Sequence, residues 1–412
     1  MDLMKFAKRL GVLLLVAAVP LFAQQEAQPE ERASAPKIVG YFPQWGVYGG
    51  YYVKNVITSG SATRLTHINY AFANVVNNQC ASYDTWADYQ NPLTADQTVD
   101  GKPDSQTPDA FVGNFHQLQE LKQLYPKLRI VMSIGGGGAD PNSFSTAALP
   151  GNRRAFVKSC VDMYIRGKFA PGIHEPGIFD GLDIDWEFPA SEADRTNFTA
   201  LLKEFRRQLD AIRPGMTLSI AASAGSWAYQ FTDLKAIQHS LSFINLMNYD
   251  FDGPWNNATG FVAPLYRAAQ DPDPTNNANA AVEAYLQLGV AQDKIVFGVP
   301  FYGYEWTGVS YLNNGLFEPG TPQGYGSGYN SIVAIESQFS KFRDPLTKAP
   351  WLYDGNNFWT YDDPVSLKFK MNYVRKHHLA GVMFWEISGD LPDGTLVRTL
   401  FKGLQRRAGD EE

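Results

Sequence analysis

Residues 179–189 read Phe179-Asp180-Gly181-Leu182-Asp183-Ile184-Asp185-Trp186-Glu187-Phe188-Pro189. Asp183, Asp185 and Glu187 alternate with Leu182, Ile184 and Trp186. Successive side chains of a β-strand point to opposite faces, so the acids share one face and the bulky apolar residues the other. A solvated strand mixes signs, because like charges side by side repel. An unbroken acidic row instead lines a pocket, where neighbouring carboxyls titrate together and can pass a proton.

The same segment takes its place among seven similar runs. Expected strands are Lys37–Phe42, Leu65–Phe72, Leu128–Ile134, Phe179–Glu187, Met216–Ala222, Ser242–Asn248, Lys294–Pro300 and Leu379–Trp385. Each is short and apolar enough to be buried on both faces. Helical spacing fills the gaps. Phe115, Leu118 and Leu121 share a face, as do Phe198, Leu201, Phe205, Leu209 and Ile212 behind an expected Ser191 cap. Asp363-Pro364 reads as a cap followed by proline at the first helical position. Eight strands alternating with helices predict an α/β protein, a (β/α)8 TIM barrel, with its site at the C-terminal strand ends. Glu187 ends the fourth strand. About 57 residues, 303–359, are too many for a barrel loop and predict a small α+β insertion between strand 7 and helix 7. The hairpin Trp351–Tyr361 lies within it.

The 412 residues, 44% hydrophobic, suffice for one barrel domain over 37–412. The formal net charge of −7 argues against nucleic acid as a partner and allows a neutral or cationic substrate. Lys5, Lys8 and Arg9 precede an apolar stretch from Leu10 to Phe22, so residues 1–23 are expected to be a signal peptide and the protein secreted. A Gln-, Glu-, Ala- and Pro-rich lead-in follows over 24–36. No later stretch resembles a membrane span. Cys80 and Cys160 are the two cysteines; an exported chain could bridge them or leave them as separate loop and helix thiols. The six histidines are scattered, and neither a metal nor a cofactor is expected.

Five ordered motifs make the chain similar to a known family. Asp180-Gly-Leu-Asp183-Ile-Asp185-Trp-Glu187 resembles the D-G-x-D-x-D-W-E signature of family 18 glycoside hydrolases, the chitinase family. Ser133-Ile-Gly135-Gly136, Met247-Asn-Tyr249-Asp250, Gly298-Val-Pro-Phe-Tyr302-Gly303 and Gly381-Val-Met-Phe-Trp385-Glu386 resemble its motifs on strands three, six, seven and eight. The resemblance spans about 37–405 and is closest to secreted bacterial chitinases with the α+β insertion. It implies a monomer acting on chitin or N-acetylglucosamine oligosaccharides. The alternatives are an endo-β-N-acetylglucosaminidase acting on glycans and a chitin-binding protein without turnover.

Cleaving a glycosidic bond needs a proton on the leaving oxygen and a nucleophile at the anomeric carbon. Glu187, nearest the open cleft, is the expected general acid and base. In this family the substrate's own acetamide oxygen attacks and forms an oxazolinium ion. Asp185, one strand period deeper, would accept from the acetamide N–H and face the developing positive charge. Asp183 would share a proton with it. The resemblance places the Tyr249 hydroxyl on the acetamide carbonyl, Asp250 on substrate, and Trp385 as a floor beneath the sugar. Tyr41, Phe72, Met247, Tyr302 and Gly136 are expected pocket wall, and Trp255 a stacking residue beyond the cleaved bond. Trp45, Trp227, Trp306 and Trp351 are further stacking candidates. Ser133 and Gly135 support the acids, and Asp180 ties down the strand start. Gly137 and Gly138 stand where many relatives carry an aromatic platform.

Overall fold

The computed structural model describes residues 35–107 and 110–405. The expected signal peptide and nearly all of the lead-in lie outside them. Eight parallel strands form the centre: β1 Lys37–Pro43, β2 His67–Val76, β3 Arg129–Gly135, β4 Gly181–Asp185, β5 Thr217–Ser223, β6 Phe243–Met247, β7 Ile295–Pro300 and β8 Gly381–Trp385. Each pairs with the next, and β8 pairs with β1, so the sheet closes into a (β/α)8 barrel. The expected fourth strand was too long at both ends. Regular pairing stops at Asp185, and Glu187 stands two residues past it, free of the sheet.

Period-two alternation sorts the side chains. Leu182, Ile184 and Trp186 face outward into a shell shared with Phe144, Phe198 and Phe205. That shell is closed by the helix Glu192–Asp210, which buries Phe198, Leu201, Leu202, Phe205 and Leu209. Burying each such side chain contributes roughly 1.5–3 kcal/mol. Ser191 caps the helix by accepting from the Asp194 N–H at 3.1 Å. The helix ends at Asp210, so Ile212 falls outside it and is exposed. Asp363 caps the helix Pro364–Lys376 in the same way, with proline at the first position.

An antiparallel strand, Gln79–Ser82, folds back on β2, and Cys80 within it is disulfide-bonded to Cys160 at the end of the helix Arg153–Cys160. After β7 the chain builds the α+β insertion. Strands Tyr302–Thr307, Phe358–Tyr361, Pro350–Tyr353 and Ser340–Arg343 pair antiparallel, with a helix at Tyr329–Ile335. Asp354 Oδ1 turns the hairpin by accepting from the N–H groups of Asn356 and Asn357. Trp306 and Trp351 are buried in this unit's core with Phe261 and Phe358, which overturns their reading as stacking residues. Among the described residues no helix is long and apolar enough to cross a membrane.

Candidate active site

The inward face of β4 carries the acidic row up the barrel axis. Asp183 is deepest and fully buried. Its carboxylate accepts from Ser219 Oγ at 2.6 Å, Tyr41 OH at 2.7 Å, Ser133 Oγ at 2.8 Å and Asn245 Nδ2 at 3.3 Å. Burial pushes this carboxyl up, and the four donors pull it back. Ser133 and Ser219 reach it because β3 and β5 place them directly opposite Asp183 in register.

Asp185, one period higher, is also buried, and its Oδ1 accepts no hydrogen bond. Burial first, then the charges of Glu187 and Asp183, push its carboxyl far above the ordinary range. Glu187 is pushed up to about 7 by burial and by the charge of Asp250. One proton therefore stays within the Asp185–Glu187 pair at neutral pH, since two close carboxylates do not both ionise cheaply.

Residues from β6 and β7 complete the rim. Tyr249 is buried, and its hydroxyl donates to Met383 Sδ at 3.7 Å, a weak acceptor that a ligand oxygen could replace. Asp250 adopts φ 61°, a left-handed conformation that Asp tolerates better than most residues. It accepts from Tyr302 OH at 2.5 Å and Tyr304 OH at 2.9 Å. Asp250 stands at the cleft rim, exposed on one side and crowded by protein on the other. That crowding pushes its carboxyl up, against the pull of the two tyrosines.

These side chains line a cleft of about 970 Å³. Its aromatic floor is a cluster: Phe72 lies nearly parallel to Trp385 at 5.5 Å, and Tyr41 and Trp45 flank that indole at 5.5 and 6.1 Å. Trp255 stands at the far side, edge-on to Tyr304 and 56% exposed. Of the expected wall residues, Tyr41, Phe72, Met247, Trp255 and Tyr302 all line the cleft. Gly136 does not. A Cβ there would strike the Phe72 ring at 2.6 Å, so this glycine makes room for the floor, not for a ligand. Gly135, at φ 114°, lets β3 approach the Asp185 carbonyl, which a Cβ would meet at 2.1 Å. The glycine nearest the acid is Gly137, where a Cβ would stand 3.4 Å from Glu187. Trp227 does not line the cleft and instead packs edge-on against Phe188.

Asp180 sits at the opposite end of the barrel, accepting from the Ile130 N–H and paired with Lys122, Arg129 and Arg213. Sequence reading missed Ser219, Asn245, Gln44, Tyr83 and Glu386. For Ser219 and Asn245 the signal was available: each is a polar residue at an inward position of a mostly apolar strand. Together the groups can bind a ring on an aromatic floor, deliver a proton from Glu187, and oppose a positive charge with Asp185.

The profile described as Glycosyl hydrolases family 18 matches residues 37–390. Chitinase C of Streptomyces lividans is 35% identical over 370 residues, 86% of this chain and 58% of that protein. Chitinase 63 of Streptomyces plicatus is 33% identical over 92% of this chain and 62% of its own length. The chain thus spans about three fifths of these relatives. The catalytic domain of psychrophilic chitinase B from Arthrobacter TAD20 superposes with a TM-score of 0.83 at 34% identity, covering 90% of this chain and 95% of that one.

Proposed function

Because the chain belongs to glycosyl hydrolase family 18, we propose that it is a chitinase. It hydrolyses β-1,4 bonds between N-acetylglucosamine units with net retention. Glu187 protonates the leaving oxygen. The acetamide oxygen of the sugar over Trp385 attacks the anomeric carbon, and the cyclic oxazolinium ion forms. Asp185 accepts from the acetamide N–H and balances the charge, while the Tyr249 hydroxyl donates to the acetamide carbonyl. Water then opens the ring, with Glu187 taking the proton back.

The observation that carries this reading is the state of Asp185: buried at the bottom of the cleft, with one oxygen unpartnered, next to a carboxyl that holds its proton to about 7. Such a group is stabilised by a cationic neighbour that arises during reaction. Incubation with chitin hexamer, following product sizes and anomers, tests it. Initial β-anomers are expected; α-anomers at the new reducing ends sink the mechanism. The size pattern separates a chitinase from an N-acetylglucosaminidase on glycans, and no turnover leaves a binding protein. We also propose export, supported by the Cys80–Cys160 disulfide and the basic-then-apolar N-terminus. N-terminal sequencing of the secreted protein, expected to begin near residue 24, checks it.

A further inference from the structure

The pairing registers stack the inward side chains of the barrel in layers, each drawn from alternate strands. The layer that holds Asp183 of β4 takes Asn69 from β2, Asn245 from β6 and Met383 from β8. All four are fully buried. Tyr41 of β1 stands beside Asn69 in register, and its hydroxyl lies 3.5 Å from Asn245 Nδ2. The next layer toward the cleft is Tyr41, Ser133, Ala221 and Gly298, which apart from Tyr41 are small.

This layer holds polar atoms that the protein does not satisfy. Asn69 Oδ1, Asn69 Nδ2 and Asn245 Oδ1 meet no hydrogen-bonding partner among the described residues. Buried amide atoms left unpaired are costly, and native proteins rarely keep them so. Asn245 adds a second demand. Its amide has two orientations of nearly equal shape, and only one sends Nδ2 to Asp183 Oδ1, at 3.3 Å. The other turns a carbonyl oxygen toward a carboxylate. A partner on Asn245 Oδ1 is what fixes the favourable one.

We propose that a water molecule binds between Asn69 and Asn245, and that Asn69 is a positioning residue acting through it on Asp183. The water accepts from Asn69 Nδ2 and donates to Asn245 Oδ1, which holds Asn245 Nδ2 on the carboxylate. The Tyr41 hydroxyl, beside both amides, offers a third partner, as a buried water needs. The consequence for turnover rests on the chitinase reading: the Asp183 charge opposes, from beneath Asp185, the positive charge that develops on the sugar. The titratable groups facing Asp183 are Tyr41 from β1, Asp185 on its own strand and Tyr249 after β6. The other strands bring it the uncharged Ser133, Ser219, Asn245 and Met383. Each donor favours the ionised carboxylate, so losing the Asn245 bond raises its proton affinity.

A high-resolution crystal structure of the unaltered protein should show ordered water within hydrogen-bonding reach of both amides. A dry contact there overturns the site. Asn69→Leu keeps the volume and removes the polar partner, with Asn69→Val in its place should it not fold. On chitin hexamer kcat is expected to fall about tenfold at unchanged KM, and the acid limb of kcat to move to higher pH by about one unit or less. Asn69→Ser, which can still hold the water, should recover most of the loss. An apolar variant with the wild-type kcat and acid limb, or a serine variant no better than the apolar one, overturns the positioning role. A wild type that cuts no hexamer overturns the chitinase reading instead, and the crystallographic water then decides the site alone.

Discussion

Asp180 and Glu187 mark the two ends of one short segment, yet their surroundings are opposites. At the lower end Asp180 is nearly enclosed, with Lys122 at 2.8 Å, Arg129 at 3.4 Å, Arg213 at 3.5 Å and the Ile130 N–H at 3.1 Å. At the upper end Glu187 shares a cleft with three other carboxyls and, among the described residues, no cation. The lower acid is matched and holds the strand start. The upper acids are unmatched, which costs stability and raises their proton affinity. One motif thus contains a paired acid and an unmatched row, the row proposed to react, and only the environment tells them apart.

The sharpest way to break this contrast is at the upper end. Glu187→Gln keeps the shape and removes the transferable proton. Turnover of chitin hexamer should fall by at least ~1000-fold, while calorimetry still finds oligosaccharide binding. Normal turnover would show that the proton comes from elsewhere. Next comes Asp185→Asn, which removes the charge opposed to the proposed oxazolinium ion. A loss of roughly 100- to 1000-fold in kcat is expected with an unchanged fold by circular dichroism. Asp183→Asn should lose less, because one amide oxygen still serves the donors Tyr41 and Ser133. An Asp185→Asn enzyme running at the wild-type rate would remove that residue from the chemistry.

At the lower end the same kind of change should act on folding alone. Asp180→Ala leaves a buried backbone N–H unpaired and three cations without their partner, a cost of about 1–3 kcal/mol. The urea midpoint should drop while kcat per folded molecule holds. A collapse of kcat at unchanged stability would erase the distinction between the two ends.

How much of this was legible follows from burial. The eight strands could be located because each is short and apolar enough to be buried on both faces, a pattern that survives without knowing its partners. The acidic row was legible because alternation puts it on one face. Its length was not, because Trp186 and Glu187 continue the alternation after the pairing to β3 and β5 has stopped. Tryptophan was the weakest guide. Trp306 and Trp385 lie in similar aromatic runs, but one fills the core of the insertion and the other floors the cleft, a difference set by the sheet each belongs to. Ser219 and Asn245 are visible as polar residues on inward strand positions, but only barrel closure aims them at Asp183.

The smallest expected effect sharpens the comparison most finely, because it moves a proton without removing the acid. As the proposed acid, Glu187 must be protonated to act, so activity should fall as pH rises through about 7. After burial, the charge of Asp250 is what holds that carboxyl up. A negative neighbour disfavours the ionised form, so neutralising it lets Glu187 ionise sooner. Asp250→Asn should therefore move the alkaline limb of kcat/KM to lower pH, by about one unit or less. Tyr302 and Tyr304 can still donate to the remaining amide oxygen, which keeps the rim in place. A limb that stays put, or moves upward, would mean that burial alone sets the acid and that the unmatched charge of the upper end does not reach the reacting group.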